Sequence, residues 1–388
     1  MLISHISDLH LGYSQFNLEE REEDVYATFQ EAIDVSISEG IKLVILAGDI
    51  FHIPRPTGKA VYKLAIALKK LKEKQIPVAF VLGEHDLSRM RDIPFAHIFS
   101  NLGLARQLKL DEPFVVDNCS VYGANKQRRS NIDELASRLG QLDQTGKTAS
   151  ERQHRHQQQK GKKILVLHQG ITDMNKFAGE LNSTDLPGNF DYYAMGHYHD
   201  HIEKRYANLG GPLVYPGSID LTPSEGIKDV EKGFALVDMS GEEASVQFIP
   251  LHRRPQFSMK VDFANMQKGV EAVIKKATSC GSKPVVKVEV EGRNIDSAAV
   301  SNSLLELNKA CLHYIWQSVD EQAQALAFDE RPADLDAELL RLAKDALGSE
   351  ESATLAIRDL LPPTAVGDVS AALDIVWDIF KKRLSSPA

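Results

Sequence analysis

The sequence predicts an α/β fold, a layered sandwich followed by a smaller second α/β domain and C-terminal helices. Three observations predict it. Short apolar runs alternate with helical stretches from residue 1 to about 250, the order of an α/β layered domain. The texture changes after His252-Arg253-Arg254-Pro255, and residues 256 to about 325 read as strand, helix, strand, helix, strand. Two amphipathic helical patterns then close the chain.

The elements follow in order. The apolar runs Leu2 to Ile6, Leu43 to Leu46, Val78 to Leu82, Ile164 to Leu167 and Tyr192 to Met195 are short enough for strands. Between them Val25, Phe29, Ile33 and Ile37 recur at helical spacing, as do Leu64, Leu68 and Leu71, so helices cover the sheet. Residues 141–163 are rich in Gln, Lys, Arg and His with almost no large apolar side chain, and are expected to form a mobile surface loop. His154 and His156 fall there without a carboxylate or cysteine nearby and read as solvated. In the second domain Val286, Val288 and Val290 alternate with Lys287 and Glu289, the pattern of a half-buried strand. Past a polar stretch ending near Pro332, Leu335, Leu339 and Leu342 mark one helix, and Ala372, Ile375, Val376, Ile379 and Phe380 another. Leu361-Pro362-Pro363 is expected to force a turn between them, with Gly367-Asp368 as the cap of the last helix. The apolar face of that helix fits either packing on the chain's own body or docking on another protein. The boundaries predicted are 1–254, 255–330 and 331–388.

Composition narrows the function. With 388 residues, 43% hydrophobic and 26% charged, the chain can bury more than one core. No apolar stretch approaches the ~18 residues of a membrane span. The opening Met1-Leu2-Ile3-Ser4-His5 has no basic region ahead of an apolar one and reads directly as strand, which predicts a cytoplasmic chain. Cys119, Cys280 and Cys311 are too few and too scattered for a disulfide framework or a thiolate zinc site. A net charge of −9 argues against a protein that coats nucleic acid unaided, so any such contact is local, metal-mediated or shared.

Five segments carry chemistry: Asp8-Leu9-His10, Gly48-Asp49, Gly83-Glu84-His85-Asp86, Leu167-His168-Gln169 and Gly196-His197-Tyr198-His199. Four follow an apolar strand directly, and ligands of α/β sheets gather at the carboxyl ends of strands. Carboxylate and imidazole donors without thiolate suit Mn²⁺, Fe²⁺, Zn²⁺ or Mg²⁺, and several histidines make a pure Mg²⁺ site the poorest match. Residues at i and i+2, as in Asp8/His10 and His197/His199, can feed neighbouring cations, and one carboxylate such as Asp49 can bridge them. Two cations roughly 3.5–4 Å apart clamp the attacking and leaving oxygens of a phosphate. His5, His97, His201, His252 and His313 read as structural.

The ordered set resembles the calcineurin-like metallophosphoesterases. Ile6-Ser7-Asp8-Leu9-His10-Leu11-Gly12, Ala47-Gly48-Asp49-Ile50-Phe51-His52 and Met195-Gly196-His197-Tyr198-His199, with Tyr215-Pro216-Gly217-Ser218-Ile219, narrow the resemblance to the double-strand-break-repair nucleases of the SbcD or meiotic-recombination-eleven type. The resemblance covers about residues 1–330 and is specific in the first 225. It implies a nuclease domain over 1–254, a DNA-binding capping domain over 255–330 and a helical partner-binding region over 331–388. One metal is implied on Asp8, His10, Asp49 and His199, and the other on Asp49, residue 84, His168 and His197. His85 is implied to contact the phosphate or protonate the leaving oxygen, Asp86 to orient His85, and His52 to position DNA. Two Mn²⁺ ions, a homodimer, a coiled-coil ABC-type ATPase, DNA ends and a nucleoid location complete what it implies. At residue 84 the family usually has Asn and this chain has Glu, which leaves two divalent cations with one net positive charge rather than two among Asp8, Asp49 and Glu84. Metal is then held at least as tightly, with weaker attraction for phosphate. Arg89, Arg91, Lys126, Arg128 and Arg129 near the rim fit either backbone contacts to DNA or surface solubility. The function expected is exonuclease and endonuclease action on break ends. The alternatives are a phosphodiesterase on small substrates and a catalytically weakened DNA-end scaffold for the ATPase.

Overall fold

A computed structural model describes residues 1–88, 93–144, 161–175, 179–320, 335–365 and 369–385. These divide into two compact units, one of residues 1–222 and 231–253, the other of 223–230 and 254–388.

The first unit is built on strands β1 (Leu2–Ile6), β2 (Leu43–Ala47), β3 (Val78–Val81), β4 (Arg106–Gln107), β5 (Phe114–Val116), β6 (Cys119–Ala124), β7 (Lys162–His168), β8 (Tyr192–Gly196), β9 (Ile202–Lys204), β10 (Leu213–Tyr215), β11 (Gly233–Asp238) and β12 (Ser245–Pro250). They form two sheets, ordered β12-β11-β1-β2-β3-β4 and β5-β6-β7-β8-β10-β9. The runs β1 to β4 and β6-β7-β8-β10 are parallel, β4 forming one edge of the first sheet, and antiparallel strands finish the other three edges.

Ile3, Leu43, Ile45 and Val81 of one sheet meet Val121, Ile164, Val166 and Ala194 of the other in an apolar layer between them. Helices α1 (Glu19–Ser38) and α2 (Gly58–Glu73) cover the outer face of the first sheet through Val25, Phe29, Ile33, Leu64, Leu68 and Leu71. After the short α3 (His97–Asn101), α4 (Ile132–Gln144) packs Leu135 and Leu139 on the second sheet. Both faces of β2 are therefore covered, which is why Leu43–Ala47 is apolar throughout instead of alternating. Each leucine so buried contributes roughly 1.5–3 kcal/mol. The Thr57 hydroxyl caps α2 by accepting the Ala60 N–H at 3.2 Å.

The second unit holds β13 (Gln256–Asp262), α5 (Met266–Thr278), β14 (Val285–Gly292), α6 (Ser297–Leu304), α7 (Leu307–Ala310) and β15 (His313–Asp320). The three strands pair in parallel, in the order β13-β14-β15. Val286, Val288 and Val290 turn into a core with Val270, Val273 and Leu304, while Lys287 and Glu289 face outward and pair at 2.8 Å. The unit ends in α8 (Leu335–Leu347), α9 (Glu350–Thr354), α10 (Leu361–Ala365) and α11 (Val369–Ser385).

Two expectations need correction. The polar segment 141–163 is shorter than expected, because α4 runs to Gln144 and β7 begins at Lys162; residues 145–160, with His154 and His156, lie outside the described residues. No turn forms at Leu361-Pro362-Pro363. A π-helical stretch, Leu355–Leu360, leads straight into α10, and both prolines sit in its first turn. Proline leaves the carbonyl four residues back without its donor, and a wider turn just before it is a local way to accommodate that loss. The cap expected at Gly367-Asp368 lies outside the described residues. Among the described residues no helix is long and apolar enough to cross a membrane.

Candidate metal centre

Asp8, Asp49 and Glu84 follow β1, β2 and β3, His168 ends β7, and His197 follows β8, so five strand ends of two sheets deliver their side chains to one rim. The loops after β1 and β2 run side by side, with Asp8 N–H donating to the Gly48 carbonyl at 3.1 Å and His10 N–H to that of Asp49 at 3.0 Å. Asp8, His10 and Asp49 all adopt left-handed backbone, with φ of 51°, 44° and 49°. Such conformations are costly for non-glycine residues and persist where the surroundings enforce them. Here they turn the carboxylates and the imidazole inward.

Three donor triplets result: Asp8 with His10 and His199, Glu84 with His168 and His197, and Asp8 with Asp49 and His168 joining the two. All seven metal-ligand candidates from the sequence are thus brought together. His10 Nε2 lies 3.4 Å from His199 Nε2 and 3.9 Å from Asp49 Oδ2, and His168 Nε2 lies 3.5 Å from Asp49 Oδ2. Asp8, His10, Asp49 and His168 form a buried wall, and Glu84 and His199 reach solvent at the mouth. A fourth triplet, His10 with His52 and His85, sits beside it.

The residues fit divalent cations. His168 Nε2 and Glu84 Oε2, both buried, stand 2.8 Å apart as an ion pair rather than as an aligned donor and acceptor. Two atoms that close and aimed past each other suit ligands of one ion, which stand about 3 Å apart when each bond is near 2.1 Å. The His168 ring is fixed from behind, where Nδ1 donates to the Ala47 carbonyl at 2.7 Å, leaving Nε2 for the centre.

Charge crowding marks the same atoms. Burial opposes a charge on His168, but the Asp49 and Glu84 carboxylates outweigh it and hold the ring well above the ordinary imidazole value. Burial likewise opposes ionisation of Glu84, and His197, Lys126 and His168 outweigh it, so Glu84 stays well below the usual carboxylate range. His52 is lowered to about 4 by burial and by His85. Protons and cations therefore compete for one set of donors, and metal binding expels the protons.

His85 Nδ1 lies 2.8 Å from the His52 carbonyl, and the His85 N–H donates to Asp49 Oδ1 at 2.8 Å. Asp86 accepts the backbone N–H groups of Ile50, Phe51 and Gly83 at 3.1, 2.9 and 3.0 Å. Burial and the Asp49 charge push Asp86 up to about 7 against those three donors. Its carboxylate ties the loops after β2 and β3 together, and the group that meets the His85 ring is the His52 carbonyl. His52 stacks on His85 with centroids 5.4 Å apart and meets Tyr13 at 4.7 Å.

Of the basic residues near the rim, Arg128 and Arg129 are exposed, and Arg89 and Arg91 lie outside the described residues. Lys126 differs. Its side chain is only 8% exposed, pairs with Glu180 at 2.6 Å and stands 4.0 Å from Glu84, so it faces the centre and offsets part of the Glu84 charge. Glu180 in turn accepts the Gly170 N–H at 2.8 Å. The sequence marks Lys126 as a basic residue near the rim but carries no signal for its pairing with Glu180, 54 residues away.

A double-sheet sandwich that gathers carboxylates and imidazoles from five strand ends into one buried cluster defines a metal-dependent phosphoesterase. Residues 1–201 match the family described as calcineurin-like phosphoesterase. The DNA double-strand break repair protein Mre11 of Sulfolobus acidocaldarius is 33% identical over 302 residues, 75% of each chain. The protein of the same name from Saccharolobus solfataricus is 29% identical across 84% of this chain and 86% of its own, and that of Thermoplasma acidophilum is 30% identical across 85% and 91%. This chain belongs to the calcineurin-like phosphoesterases and, within them, to the Mre11 family.

Proposed function

We propose that the chain is a Mn²⁺-dependent exonuclease and endonuclease that processes the ends of DNA double-strand breaks. One observation carries the proposal: two ligand triplets flank the shared wall of Asp8, Asp49 and His168, an arrangement suited to a pair of cations. The relatives named above, each a DNA double-strand break repair protein, support DNA as the substrate. Divalent cations supply phosphoryl polarisation and a lowered pKa for the attacking water. Asp8, His10, Asp49 and His199 would hold one ion, and Asp49, Glu84, His168 and His197 the other. His85 is oriented by the His52 carbonyl and sits at the edge of the cluster, where it can give a proton to the departing sugar oxygen. His52, stacked on it, helps place the strand.

Digestion of an end-labelled linear duplex beside a small chromogenic phosphodiester tests this reading. Manganese-dependent release of nucleotides from the duplex is expected to dominate. Cleavage of the small ester alone would leave a general phosphodiesterase, and no cleavage of either at any protein concentration would leave a scaffold.

The second unit would cap the substrate, and the C-terminal helices would bind a coiled-coil ABC-type ATPase, for which Leu373, Val376 and Trp377 of α11 offer a half-exposed apolar face. A homodimer is supported by two further exposed pairs at i and i+4, Tyr62 with Ile66 on α2 and Ile98 with Leu102 on α3. Ile66→Lys is expected to shift the protein from dimer to monomer in light scattering after gel filtration while its metal content stays the same. An unchanged dimer would show that α2 is not the contact. The work of the protein would lie inside the cell, at the nucleoid.

A further inference from the structure

His199 is held by more than its place after β8. Its Nδ1 lies 2.7 Å from Thr222 Oγ1, and its carbonyl accepts both the Ser218 N–H at 3.0 Å and the Lys232 ammonium at 2.7 Å. Ser218, Thr222 and Lys232 are all buried. Gly217, with φ of +87°, lets the turn pass so close that a Cβ there would stand 2.6 Å from the same carbonyl.

That turn is anchored in its turn by Arg21, a side chain of α1 with no exposed surface. Arg21 Nη2 donates to Asp220 Oδ2 at 2.8 Å and Nη1 to Asp24 at 2.6 Å, while Nε donates to Gln15 Oε1 at 2.9 Å. Gln15 belongs to the loop after β1, the loop that carries Asp8 and His10. One buried guanidinium therefore ties the loop bearing Asp8 and His10 to the turn bearing Thr222. A guanidinium presents its donors in a fixed fork, so it sets the spacing of what it joins, which a flexible ammonium would not.

We infer that Thr222, anchored through Asp220 and Arg21, is the positioning residue for one cation only, the ion taken by Asp8, His10 and His199. The inference rests on the two-cation reading of the centre. The Thr222 hydroxyl accepts the Nδ1–H of His199, which keeps the Nε2 lone pair pointing at His10 and Asp8; the partner on the second nitrogen of a ligand histidine fixes its tautomer and its orientation. Glu84, His168 and His197 are held by other groups, namely Lys126 and the Ala47 carbonyl, so the second ion does not depend on the clamp.

Titration of the full chain with Mn²⁺, following free Mn²⁺ by electron paramagnetic resonance and binding by calorimetry, tests it without reference to activity. The parent is expected to bind two ions. Thr222→Val, which keeps the shape and removes the acceptor, is expected to hold one ion as the parent does and the other about 10- to 100-fold more weakly, with its metal-free melting temperature close to the parent's. Thr222→Ser is expected to restore both, and Asp220→Asn to weaken the same single ion. Two ions at parental affinity in Thr222→Val would overturn the inference, and so would equal weakening of both. A parent that binds fewer than two overturns the two-cation reading together with it, and reveals this before any variant is made.

Discussion

Asp49→Asn is expected to abolish manganese-dependent cleavage, lowering turnover on the order of 10³-fold or more, while circular dichroism stays that of the parent. The substitution changes almost no volume. The side-chain oxygen of the new amide can still accept the His85 N–H that now reaches Asp49 Oδ1 at 2.8 Å. It cannot serve the opposite face, where Asp49 Oδ2 stands 3.5 Å from His168 Nε2 and 3.9 Å from His10 Nε2. Those nitrogens belong to different triplets, so on the two-cation reading Asp49 would be the carboxylate shared between the ions. An amide has one acceptor oxygen and no charge, and the NH₂ group would face lone pairs that need a cation. Loss of one ion and weaker binding of the other should therefore accompany the loss of rate. Cleavage within tenfold of the parent would mean that Asp49 bridges nothing.

The seven ligand candidates were legible because strands end where apolar runs end, and an α/β sheet brings those ends to one edge whatever their distance in sequence. Asp8 and His197 are 189 residues apart and still meet, the His197 N–H donating to Asp8 at 3.2 Å. The pairings that hold these candidates in place were not legible. Lys126 and Glu180, or Arg21 and Asp220, are single charged residues whose burial depends wholly on a partner 54 or 199 residues away. Arg21 lies in an ordinary run of charges at the start of α1, and nothing in Glu19-Glu20-Arg21-Glu22 marks it as the one that turns inward. The same gap separates the two views of Asp86. The resemblance implies that Asp86 orients His85, whereas the carboxylate binds backbone N–H groups of the loop after β2, whose path only the folded chain reveals. The proline pair failed for a different reason: Pro362-Pro363 stops an ideal α-helix, and the chain instead widens one turn and continues.

Gly196→Ala carries the other large expected effect, because the glycine stands at a close approach of the two sheets. A Cβ there would lie 1.9 Å from the Ala47 carbonyl oxygen, at the end of β2 in one sheet, and 2.7 Å from His168 Nδ1 in the other. Those two atoms are hydrogen-bonded to each other at 2.7 Å, the contact that aims His168 at the centre. The methyl group must wedge the rim open or break that bond, since backbone and a fully buried ring cannot step aside as a surface side chain would. Overpacking of this kind costs about 1–3 kcal/mol or more, which for a chain of this size lowers the melting temperature by several degrees. The larger consequence falls on metal: with His168 tilted, the ion shared with Glu84 and His197 should bind at least about tenfold more weakly. Gly140→Ala provides the comparison, because nothing stands within 4 Å of its Cβ position on α4. There the same methyl group is expected to stabilise the helix by a few tenths to about 1 kcal/mol and leave metal binding alone. Equal melting temperatures and equal manganese affinities for the two variants would refute the close approach of β2 and β8 on which the centre depends.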